Sequence, residues 1–394
     1  MIGGTEALGR SSGLDERREL RDVVSRLAAE VYAPQAVAWD RGGHPFPHKE
    51  RERLAELGLL GAALPERYGG GGRPLLDALI IIEELAKRSQ LAAFPVFEAS
   101  TGPARVIDVL GTDSQKERFL PPVAAGKTTI ALSISEPEAG SAATDMKTRA
   151  RVDGNEIVIN GTKRWCTGAG HAEQYLVYVR FNDRSGGPGI GAVVVDGDTE
   201  GVSFGEPERL MGFHGIASCD IFFDDARVPV DNMIVGANGF KRLFSAFSIE
   251  RLGNATMSLA IAQSSLDRSA AYVQQRQQFG RDLVEFQLVQ AAIADMVMRV
   301  HAARALIYEA AERAGHGAPP PLQASVAKCF ANETAKWVSD IAMQLHGGYG
   351  YSEEYELERL HRDAHGWALA GGTTNMQRLR ITTEYLGRRF EQRN

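Results

Sequence analysis

Several features are scarce in this 394-residue sequence. Its three cysteines, Cys166, Cys219 and Cys329, are far apart and form no CxxC pair, which argues against a disulfide framework or a structural zinc site. Lys plus Arg (44) do not exceed Asp plus Glu (50), so a nucleic-acid partner is not expected. No apolar run approaches the roughly 18 residues of a membrane span, and no secretory signal precedes the first helix. We therefore expect a cytoplasmic protein without a metal centre.

A Rossmann-type nucleotide loop is also missing, because no predicted strand leads through GxGxxG into a helix. What is present is a pattern that changes twice along the chain. From residue 14 to about 128 the spacing is helical: Leu20, Val23, Leu27 and Val31 predict one buried helix face, and Pro121-Pro122 predicts a loop. Between 129 and 236, short β-rich runs separated by turn residues predict an antiparallel sheet, with strands at 130–135, 156–160, 175–181, 190–195 and 220–223.

The last part of the chain is again helical. An apolar stripe with steps of three and four predicts a long helix with one buried face, which consists of Val289, Ile293, Met296, Val300, Ala303 and Ile307. A further helix ends at Gly347 and Gly348. The sequence therefore predicts an α+β multi-domain fold: a helical N-terminal domain (1–128), an antiparallel β domain (129–236) and a C-terminal domain resembling a four-helix bundle (237–394).

Five segments, in order, resemble the signatures of the acyl-CoA dehydrogenase family. They are 131–141 (Ala-Leu-Ser-Ile-Ser-Glu-Pro-Glu-Ala-Gly-Ser), 163–167 (Lys-Arg-Trp-Cys-Thr), 223–229 (Phe-Asp-Asp-Ala-Arg-Val-Pro), 276–287 (Arg-Gln-Gln-Phe-Gly, then Glu-Phe-Gln) and 344–351 (Gln-Leu-His-Gly-Gly-Tyr-Gly-Tyr), the last followed by Arg362-Asp363. The resemblance covers nearly the whole chain. It implies a flavoprotein that oxidises an acyl thioester to the trans-2-enoyl product, and an electron-transfer flavoprotein as acceptor.

The resemblance also implies where FAD is held: between the β domain and the C-terminal helices, with a second subunit contributing to a homotetramer. Residues that match the flavin-ring contacts are Leu132, Ile134, Ser135, Trp165 and Thr167. Residues that match the pyrophosphate and adenine contacts are Arg276, Phe279, Gln287, Gln344, Gly347 and Gly348, and the last FAD contacts match Thr373 and Asn375. Ser141 matches a position near the cofactor and the pantetheine arm of the substrate, and Arg251 is the second predicted substrate contact.

The catalytic base departs from the commonest family pattern. Most members place a glutamate before Gly-Thr near the C-terminus, but here that position is Gly371, whose backbone N–H can still polarise a thioester carbonyl. A smaller group, resembling isovaleryl-CoA and long-chain acyl-CoA dehydrogenases, has its base in a Glu-Arg-Leu sequence. The stretch 248–253 (Ser-Ile-Glu-Arg-Leu-Gly) matches it and nominates Glu250, although a glutamate near a helix start also favours the helix dipole without any catalytic role.

Other departures leave the substrate and the reaction open. His214, Ile216 and Ala142 replace common Arg, Ser and Asp residues, so an acyl-carrier-protein substrate stands beside acyl-CoA. A hydroxylase that uses FMN is disfavoured by the adenine-side set of Arg276, Phe279 and Gln344. A reductase or desulfinase would need no base for an α-proton. The loss of the usual glutamate is compatible with a catalytically silent partner subunit, and Glu250 argues against it.

Overall fold

The first part of the chain is helical. The structure, a computed structural model, describes residues 4–388 and 390, with side chains from residue 14. The outermost residues of the predicted terminal domains (1–3, 389 and 391–394) lie outside the described residues. The helices are α1 (Gly4–Leu27), continued by a π-type turn (Ala28–Tyr32), α2 (Ala33–Gly42), α3 (His48–Glu56), α4 (Leu75–Ala86), α5 (Gln90–Thr101), α6 (Pro103–Leu110) and α7 (Asp113–Ala124).

Two details of the helical prediction are wrong. Val23 is 52% exposed, because the buried face of α1 passes through its neighbour Val24. Pro121 and Pro122 lie inside α7 rather than in a loop. The prolines remove two backbone donors, but the helix continues because Phe119 and the residues around it are anchored in the core.

The middle of the chain forms an eight-stranded sheet with the order β6-β7-β3-β2-β4-β5-β8, and β1 pairs with β4. The strands are β1 (Ile130–Ser133), β2 (Arg149–Asp153), β3 (Glu156–Thr167), β4 (Gln174–Phe181), β5 (Ile190–Asp196), β6 (Val202–Phe204), β7 (Ser218–Pro229) and β8 (Met233–Val235). The sheet is mixed rather than antiparallel, since β1 and β2 both run parallel to β4. Turn residues predict hairpins between successive strands, and they carry no information on these pairings between strands distant in sequence.

The C-terminal part contains α8 (Phe240–Ala246), α9 (Ser248–Val273), a hairpin of β9 (Gln277–Gln278) and β10 (Arg281–Asp282), α10 (Gln287–Ala314), α11 (Pro321–His346), α12 (Leu357–Leu369) and α13 (Thr374–Leu386). The order of a helical, a sheet and a second helical part confirms the predicted fold class. The boundaries at 128/129 and 236/237 stay predictions. Within the described residues, no helix is long and apolar enough to cross a membrane.

The apolar stripe of α10 is already covered within one chain. Met296, Val300, Ala303 and Ile307 are fully buried, in a core that joins α10 to residues of α4, α9 and α11. This stripe therefore gives no support to the predicted homotetramer, because helices of the same chain cover it. Spacing reveals that a helix face is buried but not whether the covering surface belongs to the same chain.

Candidate active site

The structure brings the two predicted catalytic residues together. Glu250 lies in the first turn of α9, and Gly371 lies in the loop between α12 and α13. A β-carbon at position 371 would lie 2.8 Å from each carboxylate oxygen of Glu250. The carboxylate of Glu250 thus occupies the volume that a side chain at 371 would have to enter.

The surroundings of Glu250 alter its acidity. The side chain is buried, and Oε2 has no hydrogen-bond partner within the described chain. Burial raises the pKa of Glu250 to about 7, against the opposing positive charges of Lys328 and Arg251. A carboxyl group that titrates near neutral pH can take up and release protons under physiological conditions, which suits a general base.

Lys328 was not singled out from the sequence, and the structure places it behind the Gly371 loop. It is fully buried on α11, and its Nζ donates to the carbonyl oxygens of Trp367 (3.4 Å) and Gly372 (3.2 Å). Burial lowers the pKa of Lys328 to about 8, partly offset by the charge of Glu250. The available signal was a lysine on a helix face of alanines, between Ala324, Ala327 and Ala331.

Arg251, a predicted substrate contact, is buried beside Glu250. Its Nη1 donates to Ser248 Oγ (3.3 Å), and its Nε has no partner in the described chain. Burial lowers the pKa of Arg251 to about 10, and the nearby Arg380 lowers it further. Ser141, the other predicted substrate contact, is exposed in the loop between β1 and β2, and no contact places it beside Glu250.

The predicted flavin-ring residues lie on two adjacent segments of the β domain. The Arg164 N–H donates to the Ser135 carbonyl (2.9 Å), and Cys166 Sγ donates to the Leu132 carbonyl (3.4 Å). These bonds bring Leu132, Ile134 and Ser135 alongside Trp165 and Thr167.

A bulge in β3 determines where the Trp165 side chain points. The register of β3 against β7 shifts between Lys163 and Cys166, so β3 contains one extra residue there. Trp165 has a positive φ of 59° and is 52% exposed. β-Bulges redirect side chains in this way next to functional sites, and here the indole is turned out of the sheet.

A second group of predicted cofactor residues lies near the other end of α9. Tyr272 stacks on His346 at 4.0 Å, and the Arg276 guanidinium lies 5.5 Å from the Tyr349 ring centre. These contacts bring the β9–β10 hairpin close to the C-terminal end of α11. Gln344 in the last turn of this helix and Gly347 and Gly348 just after it are exposed. Gln287, the first residue of α10, is exposed as well.

Phe279 is the most exposed large hydrophobic residue of this second group, at 94%. It forms the hairpin turn with Gly280, and both have positive φ angles (54° and 76°), as a two-residue type I′ turn requires. A non-glycine residue in this conformation is uncommon and strained. An aromatic ring held in solvent by a strained turn suggests a contact outside this chain.

The second group is far from Glu250 and Lys328 within one chain. At ~1.5 Å per residue, Tyr272 is about 33 Å from Glu250 along the axis of α9, and Gln344 is about 24 Å from Lys328 along α11. Thr373 and Asn375 remain beside Gly371 at the start of α13, where Thr373 Oγ1 accepts from the Met376 N–H (3.3 Å).

The loop that contains His214 and Ile216 is tied to both helical domains. His214 Nδ1 lies 3.3 Å from Asp40 Oδ1, and Arg362 Nη2 donates to Asp40 Oδ2 (2.7 Å). The Phe213 N–H donates to Asp363 Oδ1 (2.8 Å), and Ile216 is buried. The sequence departures at 214 and 216 thus form part of a packed junction.

Comparison with known proteins agrees with the three-part fold. The models of the acyl-CoA dehydrogenase N-terminal, middle and C-terminal domains match residues 14–127, 131–226 and 237–386. The chain is 36% identical over 386 residues to 3-sulfinopropanoyl-CoA desulfinase of Paraburkholderia xenovorans (strain LB400), covering 96% of this chain and 98% of that one. It is 34% identical over 373 residues to 3-(aryl)acrylate reductase of Clostridium sporogenes (strain ATCC 15579), covering 94% and 99%.

Among solved structures, butyryl-CoA dehydrogenase from Megasphaera elsdenii is similar with a TM-score of 0.89 and 33% identity, covering 94% of this chain and 98% of that one. Three domain models match in chain order between residues 14 and 386, and the relatives are of matching length. The chain belongs to the acyl-CoA dehydrogenase family and is a flavin-dependent oxidoreductase that acts on acyl-CoA.

Proposed function

We propose that the protein removes the α-proton and a β-hydride from an acyl thioester to give the trans-2-enoyl thioester, with Glu250 as the base. The observation that carries this proposal is the position of the Glu250 carboxylate, 2.8 Å from where a β-carbon of residue 371 would lie. In the proposed reaction the base enters from α9 because Gly371 has no side chain.

The chain's own groups can perform the proton transfer. The free Oε2 of Glu250 is available to accept the α-proton, and the pKa raised by burial to about 7 keeps both the carboxylate and the carboxylic acid accessible near neutral pH. The Gly371 N–H can donate to the thioester carbonyl, whose oxygen gains negative charge as the α-proton leaves. The flavin, when bound, accepts the hydride from the β-carbon.

We infer that the flavin is FAD, since the donor set suits a dinucleotide. Ser135 and Thr167 offer half-buried hydroxyl groups beside the exposed Trp165 ring. Arg276 carries a guanidinium suited to a pyrophosphate, and Gly347 and Gly348 leave open space where side chains would stand. Purified protein is expected to contain one noncovalent FAD per chain.

The separation of the adenine-side residues from Glu250 supports a site completed by a second copy. Arg276 and Phe279 follow the far end of α9, where Tyr272 is about 33 Å from Glu250 along the helix axis. We propose a homotetramer in which the hairpin of one chain contacts the FAD of another, so that the exposed Phe279 ring becomes covered.

The substrate is proposed to be an acyl-CoA, with an acyl-carrier-protein thioester as the alternative and an electron-transfer flavoprotein as the acceptor. The test is anaerobic addition of a panel of acyl-CoA and acyl-carrier-protein thioesters to the purified protein, followed by flavin absorbance. Loss of the oxidised-flavin spectrum with formation of the 2-enoyl product supports dehydrogenation. An unchanged spectrum across the panel overturns it and favours a silent subunit.

Reduction of an enoyl thioester is the second candidate. One relative is named a reductase and another a desulfinase, so members similar to this chain catalyse reactions other than dehydrogenation. In a reduction, protonated Glu250 can deliver a proton to the α-carbon. Chemically reduced protein mixed with 2-enoyl-CoA distinguishes the directions. Fast reoxidation by the enoyl substrate with slow reduction by the saturated one would assign the protein as a reductase.

A further inference from the structure

A chain of buried amide groups connects Lys328 to the peptide group of Gly371. Lys328 Nζ donates to Asn332 Oδ1 (3.0 Å), Asn332 Nδ2 donates to Asn254 Oδ1 (3.0 Å), and Asn254 Nδ2 donates to the Ala370 carbonyl (3.3 Å). The three side chains are fully buried. The chain therefore ends on the peptide unit that carries the Gly371 N–H.

The direction of this hydrogen-bond chain follows from its two ends. The Lys328 ammonium has donors only, so the oxygen of Asn332 must face it. The Ala370 carbonyl has acceptors only, so the nitrogen of Asn254 must face that end. With both ends settled, Asn332 donates to Asn254, and each of the three side chains donates toward residue 371.

The geometry of the peptide unit converts this bond into an orientation of the N–H group. In a trans peptide the C=O of Ala370 and the N–H of Gly371 are coplanar and point in opposite directions. Fixing the carbonyl on Asn254 therefore fixes the direction of the N–H. Gly371 and Gly372 have no side chains and both have positive φ angles (64° and 88°). Lys328 and Gln377 hold the next carbonyl, that of Gly372 (3.2 and 2.9 Å), while the bond from Asn254 acts on the peptide unit of the Gly371 N–H itself.

We propose that Lys328, Asn332 and Asn254 form a positioning relay that orients and polarises the Gly371 N–H toward the thioester carbonyl. The relay rests on the proposed function, which makes this N–H the donor to the developing negative charge. A hydrogen bond accepted by a carbonyl strengthens donation by the N–H of the same peptide, and a charged start of the chain increases this effect. None of the three residues contacts the reacting atoms.

The cost of burial argues that the relay is more than packing. A lysine and two asparagines lie buried between α9 and α11, where their neighbours include Ala255, Ala327 and Ala331. Apolar side chains of similar volume are often as stable or more stable in such positions than buried charged or polar groups. A polar chain that ends on the catalytic loop is explained by a role in that loop.

The lysine has a second effect that the asparagines lack. The charged or titratable groups that interact with Glu250 are Lys328 on α11, Arg251 on α9 and Tyr178 on β4. Removing the charge at 328 is expected to raise the pKa of Glu250. An uncharged replacement at 254 leaves the Lys328 charge in place, so the pKa of Glu250 should not change. The pH profile of flavin reduction therefore separates the effect of the charge from the effect of the relay.

The experiment measures enolate stabilisation directly. Acetoacetyl-CoA has an acidic α-proton, and the ultraviolet absorbance of its enolate can be titrated against pH while it is bound to the holoenzyme. We compare wild type with Asn254→Leu and Asn332→Leu, which break the relay without changing side-chain volume greatly. Ser258→Ala is the matched control, because Ser258 Oγ accepts from Asn332 (2.6 Å) but lies off the path to Ala370.

The relay predicts that both leucine variants raise the pKa of bound acetoacetyl-CoA by about one unit or more and slow flavin reduction about 10- to 100-fold, since complete loss of such a donor costs about 10²–10³-fold. The KM for acyl-CoA should change less than about threefold, and Ser258→Ala should match wild type. The double variant Lys328→Met/Asn254→Leu should reduce its flavin no more slowly than Asn254→Leu alone, once the shift of the pH profile is taken into account.

An unchanged enolate pKa in any folded, FAD-containing variant of Asn254 or Asn332 would overturn the relay. The FAD content and the melting temperature identify a variant that has not folded, and the two positions provide independent breaks. If wild type fails to reduce its flavin with any acyl thioester, the proposed function fails, whereas the acetoacetyl-CoA titration still decides whether the relay acts on a bound carbonyl.

Discussion

Replacing Glu250 by glutamine removes the proposed base while keeping the size of the side chain. Burial raises the pKa of Glu250 to about 7, so the carboxylate form is accessible near neutral pH. A positioned general base contributes about 10²–10⁴-fold, so flavin reduction by a saturated acyl-CoA should slow by that factor. Rapid-mixing absorbance measurements under anaerobic conditions give the rate, and acyl-CoA binding should persist because the shape of the site is kept.

The interpretation depends on a matched control and on intact cofactor binding. Glu309→Gln makes the same chemical change on α10, where the exposed Glu309 pairs with Arg313 (2.8 Å), and it should reduce its flavin at the wild-type rate. FAD content should be equal in all three proteins, because Glu250 is not among the proposed FAD contacts. Flavin reduction in Glu250→Gln at the wild-type rate would refute the role of Glu250.

Three further predictions test the same site. The rate of flavin reduction should rise about tenfold per pH unit below about pH 7 and level off above it, because the base must lose its proton first. A pH series of rapid-mixing measurements checks this, and the rise should be absent in Glu250→Gln. Gly371→Glu alone should slow flavin reduction, because its β-carbon would lie 2.8 Å from the Glu250 oxygens and a positive φ of 64° strains a non-glycine residue. The double variant Glu250→Ala/Gly371→Glu removes the Glu250 carboxylate from this space and should recover part of the rate. Phe279→Ala should retain the fold by circular dichroism but lose FAD on gel filtration, since this 94% exposed ring is proposed to cover the cofactor of another chain; full FAD retention by a monomeric variant would contradict the shared site.

The sequence predicted the fold through its signature segments and its helix–strand–helix pattern, since periodicity reports which face of an element is buried. It could not predict the parallel pairing of β1 and β2 with β4, because turn residues report only on neighbouring strands. It also did not show that the α10 stripe is covered by helices of the same chain.

For the site, the glycine at 371 indicated that the usual glutamate is missing, and the motif at 248–253 nominated Glu250 in its place. The distance between the two positions needed coordinates. The relay from Lys328 to Ala370 was not predicted. Its members lie on α9 and α11 and meet only after these helices have packed. In the sequence, a single polar residue on an apolar helix face is an exception to the periodicity, and nothing indicates that it belongs to a network.

The central claim is that Glu250 takes the α-proton, and α-proton exchange measures this step without the hydride transfer. An acyl-CoA without β-hydrogens, such as 3,3-dimethylbutanoyl-CoA, can lose and regain its α-protons but cannot be oxidised. In D₂O, NMR should show wild-type protein replacing the α-protons of this ligand by deuterium. In Glu250→Gln the exchange should slow by at least about 100-fold. Exchange at the wild-type rate in the variant would contradict the account.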